Sequence, residues 1–365
     1  MSTEKNGQAA AIEVITLQRP RPSDSSKQVF TGAQILPNRG MMVLQIMAQI
    51  PELGETNVLE APSLDRTRQI LSDGEDDYMG NKSFAFGGAI LLPYANRIRG
   101  NVSPDRKSIE TKILGTMVQL PANGGGKAIG AEQFAIHGLI LKSDVTVVSK
   151  TSTVQEDRVT AYLSAGNFGG HWLSNTDVSF EFILRSDAFI LSVTAKNTGK
   201  ETLPIGIGWH PYFSLPSGKR EQARVRIPAH KRVIVNNYDE VLPTGEVSSV
   251  ADTAYDFLTP GGRSLGDLFL DDCFVDLEKT AEGHTVAEIV DPEASYGVRV
   301  VATSPQVSAI QVYSLPSEPY VVLEPQFNWA DPYGEQWSHK SDTGMVLLQP
   351  NEEVAYSTRL ELFTP

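Results

Sequence analysis

Two residues in this sequence have the type and setting to exchange a proton near neutral pH. The first is His210, in the stretch Ile205-Gly-Ile-Gly-Trp-His-Pro-Tyr-Phe-Ser-Leu215. An imidazole is the side chain whose charge changes closest to pH 7. Pro211 fixes its own φ and biases His210 towards extended backbone. Trp209, Tyr212 and Phe213 are expected to wall the ring. The second is Glu324, which ends the apolar run Tyr320-Val-Val-Leu323 and is followed by Pro325. A carboxylate at the end of a buried strand is costly unless it is paired or used. Each has a plainer reading beside the chemical one. His210 could pack at a strand end, and Glu324 could form a structural pair with an arginine.

Other chemistry-bearing residues are scattered along the chain. Arg97 and Arg99 lie in Phe84-Ala-Phe-Gly-Gly-Ala-Ile-Leu-Leu-Pro-Tyr-Ala-Asn-Arg-Ile-Arg-Gly100. If Asn96 to Arg99 is extended, both arginines face one side; as a loop, they are merely solvated. Gly87-Gly88 allows backbone to approach a neighbour closely. His137 sits inside the apolar segment Phe134–Ile140, where a satisfied core histidine is the plain alternative. Leu270-Asp-Asp-Cys-Phe274 sets two carboxylates beside an aromatic. Asn123-Gly-Gly-Gly-Lys-Ala128 fails the phosphate-loop pattern, because Lys127 precedes alanine and the earlier glycine is missing; a flexible loop is expected. The acidic run Ser72–Asp77 lacks the oxygen-ligand spacing of a calcium loop and is assigned no metal.

The elements that must position these groups read as strands. Val14–Leu17 opens, and Gly32–Pro37, a turn at Asn38–Gly40 and Met41–Met47 follow. Leu64–Leu71 allows one or two helical turns. Phe180, Phe182 and Leu184 alternate onto one face; Phe189–Thr194 returns after a turn at Ser186-Asp187. Ala223–Ile227 and Arg232–Asn236 continue the pattern. In the last strand Val354, Tyr356, Thr358, Leu360 and Leu362 oppose Ala355, Ser357, Arg359 and Glu361. No long helical period appears, so the expectation is an all-β chain, a large antiparallel sandwich.

The totals bound the function. The chain has 365 residues, 41% hydrophobic and 21% charged, with net charge −13. That balance suits a globular protein and argues against nucleic acid or an anionic membrane as partner. A single cysteine, Cys273, excludes an internal disulfide and a cysteine-built zinc site. The polar N-terminus lacks the apolar core of a signal peptide, so a cytoplasmic location is expected. No apolar run nears the roughly 20 residues needed to span a bilayer. Residues 1–12 read as a loose tail and 13–365 as one domain.

In order, the pieces Asn96-Arg97-Ile98, His137-Gly138, His210-Pro-Tyr-Phe213, Val241-Leu-Pro-Thr-Gly-Glu246, Asp271-Asp-Cys-Phe274, Gln311-Val-Tyr313 and Glu324-Pro-Gln326 resemble the aldose 1-epimerase (galactose mutarotase) superfamily. The resemblance implies a β-supersandwich with a concave sugar site. It implies that His210 is the general acid and Glu324 the general base, and that Arg97, His137, Asp271 and Gln311 bind sugar hydroxyls. It implies no metal and no organic cofactor. The chemistry agrees: opening a cyclic hemiacetal removes a proton from one oxygen and adds one to another, and a carboxylate with an imidazolium supplies that pair. Two departures concern the substrate. Proline follows His210 where galactose mutarotases more often have serine or threonine, and Asn328-Trp329 departs from the run after Glu-Pro-Gln. Either Asp271 or Asp272 could face the sugar, and Asp271 is favoured.

The expected activity is anomer interconversion of a free hexose. Alternatives are a hexose-6-phosphate 1-epimerase, with Arg97 and Arg99 holding the phosphate, and a sugar-binding module without catalysis, which would be expected to lose the acid or the base. A zinc hydrolase lacks any His-x-His or His-Glu-x-x-His spacing. Sequence leaves monomer and homodimer equally open.

Overall fold

A computed structural model describes residues 12–21, 26–72, 77–338 and 341–365. The tail expected over residues 1–12, Ile12 apart, lies outside the described residues, as do residues 73–76 of the acidic run. Asp77, which ends that run, is buried and pairs with Arg39 at 2.7 Å.

The chain is an antiparallel all-β sandwich of one eleven-stranded and one nine-stranded sheet, with smaller ribbons beside them. Both sheets are built from strands whose side chains alternate in burial. In Thr176–Arg185, Val178, Phe180, Phe182 and Leu184 are buried. This strand pairs with Phe189–Asn197, which pairs in turn with Glu353–Phe363, where Val354, Tyr356, Thr358 and Leu360 point inward. The expected alternation in these strands is therefore present. The expected helical turns at Leu64–Leu71 are the α-helix Leu64–Ser72. Asn123–Ala128 is not a free loop. Gly124–Gly125 pairs with Gln133–Ile136, and the backbone amides of Lys127 and Ala128 donate to the Asp239 carboxylate.

One continuous core lies between the two large sheets. Trp209 and Phe213 on one sheet share it with Phe189 and Tyr356 on the other. The Trp209 and Phe189 rings are 6.4 Å apart, and the Tyr356 hydroxyl donates to the Pro325 carbonyl at 2.8 Å. Burying each such aromatic stabilises the fold by roughly 1.5–3 kcal/mol.

The middle of the eleven-stranded sheet runs Gly88–Leu91, Gly208–Ser214, Tyr320–Gln326, Ala309–Ser314 and Leu270–Leu277. Because strand side chains alternate with period two, one set enters the core and the other leaves on the outer face. Trp209, Phe213, Leu323, Val321, Ile310, Val312, Leu270 and Phe274 are core. The opposite set is His210, Tyr212, Glu324, Gln311, Tyr313 and Asp271. This corrects the expected aromatic wall: Trp209 and Phe213 share the strand with His210 but face away from it. Gly88 makes room for that arrangement. A Cβ on Gly88 would lie 2.5 Å from the Trp209 indole nitrogen, which donates to the Gly88 carbonyl at 3.1 Å.

Candidate active site

The register brings the two proton carriers together. Gly208 pairs with Gln326 and Tyr212 with Val322, so His210 falls opposite Glu324 on the neighbouring strand. Cross-strand partners on one face are close enough to interact. His210 Nε2 and Glu324 Oε1 are 3.3 Å apart, and both residues are at most 5% exposed. Glu324 Oε2 and His210 Nδ1 are buried with no hydrogen-bond partner among the described residues.

The next strand adds Gln311, which pairs with Glu324 in register. Its amide donates to Asp271 Oδ1 at 2.6 Å and accepts from Asn96 Nδ2 at 2.8 Å. Arg97 Nη2 reaches Asp271 Oδ2 at 3.1 Å. The choice between the two aspartates follows from parity. Asp271 faces this cluster, whereas Asp272 is fully buried on the other face with Arg232 at 2.6 Å.

Arg97 and His137 come from a small ribbon beside the sheet: Arg97 opens the strand Arg97–Ile98, which pairs with Gln133–Ile136, and His137 follows that partner strand. Asn96 and His137 both adopt left-handed backbone, at φ 60° and 61°. Asparagine and histidine are among the few non-glycine residues that tolerate it, at some cost. The His137 amide donates to the Asn96 carbonyl at 2.9 Å. Gly138 follows at φ 80°, its Cα so near the Leu92 carbonyl that a Cβ would lie 2.3 Å from it. Asn96 Oδ1 accepts from the Arg97 amide at 2.9 Å and from Arg97 Nη1 at 3.3 Å. The expected extended run at Asn96–Arg99 is therefore broken at its first residue. Arg97 and Arg99 do not act together. Arg99 Nη1 donates to the Pro243 carbonyl at 2.9 Å, and its guanidinium lies against Asp331 and Glu132. It lines a separate cavity of about 470 Å³ with Glu110, Lys112 and Glu132.

Of the three aromatics expected around His210 only Tyr212 faces it, and the other rings come from other elements. Tyr212 stacks on it, with centroids 5.2 Å apart, and His137 meets it edge-on at 4.9 Å. Phe84 lies 4.7 Å from His137 and 6.1 Å from His210, and its carbonyl accepts the Tyr212 hydroxyl at 3.0 Å. Tyr320 and Tyr313 extend this aromatic surface outward.

Burial dominates the electrostatics, because a charge in a low-dielectric setting loses hydration. It holds the His210 imidazole down at about 4, with Arg97 pushing the same way. It holds His137 well below 6.5, with His210 and Arg97 adding to the effect. It raises Glu324 well above 4.5; Asp271 raises it further and Arg97 opposes. Burial thus works against the charged form of each of the three groups.

Every residue expected at the site, His210, Glu324, Arg97, His137, Asp271 and Gln311, is thus in one cluster. Val241–Glu246 is not part of it; Glu246 is exposed and accepts from Ser248. Asn96, Phe84 and Asn328 had no assigned role. Asn328 is fully buried and exchanges two hydrogen bonds with Ala95, at 3.0 and 2.9 Å, clamping the turn that carries Arg97. Only the departure at Asn328-Trp329 pointed to it. Ligand atoms of His137, His210 and Glu324 also lie within 4.8 Å of one another, as a metal trio would require.

Comparison with known proteins gives a consistent picture. A family model described as aldose 1-epimerase matches residues 46–361. The uncharacterized protein YphB of Escherichia coli K12 is 47% identical over 47 residues, a match that spans 13% of this chain and 16% of that relative. A galactose mutarotase-like protein from Clostridium acetobutylicum superposes with TM-score 0.73 at 18% identity, covering 97% of this chain and 99% of the other. Galactose 1-epimerase from Lactobacillus acidophilus superposes with TM-score 0.65 at 16% identity, covering 97% and 99%. At such identities these structures bear on the fold.

Proposed function

The chain belongs to the aldose 1-epimerase family, and from that membership we propose that it interconverts the α and β anomers of a free hexose. The observation that carries this is the 3.3 Å contact between His210 and Glu324, flanked by Arg97, Asp271 and Gln311. In the proposed cycle the ionised Glu324 takes the proton from the anomeric hydroxyl. The C1–O5 bond breaks, C1 becomes the aldehyde carbon, and the His210 imidazolium protonates O5. After rotation about C1–C2 the O5 hydroxyl attacks the other face of the aldehyde. His210 takes its proton back and Glu324 returns one to O1, so atoms and charge balance without a cofactor.

Arg97, His137, Asp271 and Gln311 offer donors and acceptors for ring hydroxyls, and Asp272 does not. Tyr212 and Tyr313 offer apolar faces suited to sugar C–H groups. Asn96 and Asn328 hold the Arg97 turn.

A free sugar fits the charge around the pair better than a phosphosugar. Arg97 is already neutralised by Asp271, and Arg99 is turned away towards Asp331 and Glu132. The test is anomer exchange followed by NMR on a panel of free and phosphorylated hexoses. Exchange of no sugar, together with tight binding of one, would make the chain a binding module instead.

A further inference from the structure

The trio at the centre of the site has a property that ring opening does not need. His137, His210 and Glu324 come from three separate parts of the chain, so no metal-ligand spacing in the sequence marks them as a trio. Their ligand atoms lie within 4.8 Å of one another, and His210 Nε2 and Glu324 Oε1 are 3.3 Å apart. In a tetrahedral zinc site with ligands at about 2.0–2.1 Å, the ligands stand about 3.3–3.4 Å apart. The histidine–glutamate edge already has that length. All three residues are at most 5% exposed, and Glu324 Oε2 is a buried oxygen with no partner among the described residues.

We propose that His137, His210 and Glu324 form a site for one divalent cation of the zinc class, and that such a cation competes with sugar for the pair. The donor set of two imidazoles and one carboxylate suits Zn²⁺, Co²⁺ or Ni²⁺ rather than Mg²⁺ or Ca²⁺. Three protein ligands leave a fourth position for water. Local charge permits it: Arg97 is balanced by Asp271, and an ionised Glu324 adds one negative charge. A bound cation would occupy the Glu324 carboxylate and the His210 lone pair, the two groups the exchange requires. The cation is thus an inhibitor of the proposed activity and has no part in the cycle. The competition half of this inference rests on the epimerase reading.

The full-length chain, treated with chelator and desalted, is titrated with Co²⁺ and followed by visible absorption. The expected result is one equivalent of low-coordinate Co²⁺, displaced by Zn²⁺ and by an exchanging sugar. Binding should weaken at least about tenfold in Glu324→Gln and in His137→Gln, as loss of a ligand costs no less than loss of its supporting group. It should be unchanged in His230→Ala, which tests the exposed His230–Glu278 contact as an alternative site. Because a variant could misfold, imidazole ¹H–¹⁵N spectra of the wild type provide a second readout: Zn²⁺ should shift two buried histidines and spare His230 and His284. Zn²⁺ should also stop anomer exchange, with chelator restoring it. No stoichiometric cobalt band, full binding in Glu324→Gln, or zinc-bound protein that exchanges anomers at the metal-free rate would overturn the proposal. A wild type that binds cobalt at the trio but exchanges no sugar would overturn the epimerase reading and leave the metal site standing.

Discussion

Asp271 and Asp272 are adjacent in the chain and belong to opposite faces of one strand. Asp271 Oδ2 meets Arg97 at 3.1 Å on the site face, and Asp272 Oδ1 meets Arg232 at 2.6 Å beneath the sheet. The Asp272 carboxylate also accepts from the Tyr238 hydroxyl at 3.1 Å and from the Asp271 amide at 3.2 Å. In the proposed function Asp271 meets substrate, whereas Asp272 ties its strand to Arg232 and Tyr238.

The two aspartates should therefore fail differently. Asp271→Asn is expected to raise KM for sugar about tenfold or more with little change in melting temperature. Asp272→Ala leaves Arg232 without its buried partner and should cost about 3 kcal/mol, or about 4 °C in Tm for a chain this long. Steady-state kinetics and thermal melts on both variants decide. A melting loss for Asp271→Asn with unchanged KM would reverse the assignment.

Glu324→Gln keeps shape and removes the proposed base; His210→Asn keeps polarity and removes the proposed acid. Each should lower kcat by about 10²–10⁴-fold. Sugar affinity should stay within about tenfold of wild type, since the hydroxyl contacts fall mainly on other residues. The double variant should lose less than the product of the two losses, because the residues act as a unit. Wild-type exchange rates in both single variants would remove the pair from the chemistry.

The pH profile of kcat/KM should be a bell that belongs to the pair rather than to either residue. Burial holds His210 at about 4, so a second proton enters only near that pH and sets the acidic limb. The alkaline limb follows when the single shared proton leaves through the raised value of Glu324. An acidic limb near 6.5, the ordinary imidazole value, would mean that His210 is hydrated in the working enzyme.

The same shift bears on stability. The Glu324 carboxyl titrates higher folded than unfolded. Its contribution is then fully present below its unfolded value and is lost as pH rises through the folded one. At pH 9 the wild type carries the burial penalty of an ionised carboxylate, and Glu324→Gln does not. The variant should melt higher by about 1–4 °C at pH 9, corresponding to about 1–3 kcal/mol, and by much less at pH 5. Equal melting points at both pH values would show the carboxylate to be compensated.

Much of this arrangement was legible in the residues. The period-two patterns at Phe180–Leu184 and Val354–Leu362 announced strands, and the ordered motifs announced His210, Glu324, Arg97, His137, Asp271 and Gln311 as a set. The register that sets His210 against Glu324 was not legible, because pairing between distant strands leaves no local mark. The error at Trp209 and Phe213 was avoidable. Pro211 biases this stretch towards extended backbone, and alternation along an extended strand already sends Trp209 and Phe213 opposite to His210. Arg97 and Arg99 part because different distant groups hold them, Asp271 for Arg97 and the Pro243 carbonyl, Glu132 and Asp331 for Arg99, and such partners leave no local mark in the sequence.

The proposed proton carriers lie on inner strands of the eleven-stranded sheet, hydrogen-bonded on both sides. Arg97 sits on the short edge strand Arg97–Ile98 of a three-stranded ribbon, and His137 on a left-handed turn. Local opening releases turns and margins long before it releases central strands. Amides around Glu324 should exchange with solvent deuterium only at the pace of global unfolding, and those around Asn96–Arg97 much sooner. On warming, the grip on sugar would loosen first while the proton pair stays assembled, so the enzyme should lose saturation before it loses turnover.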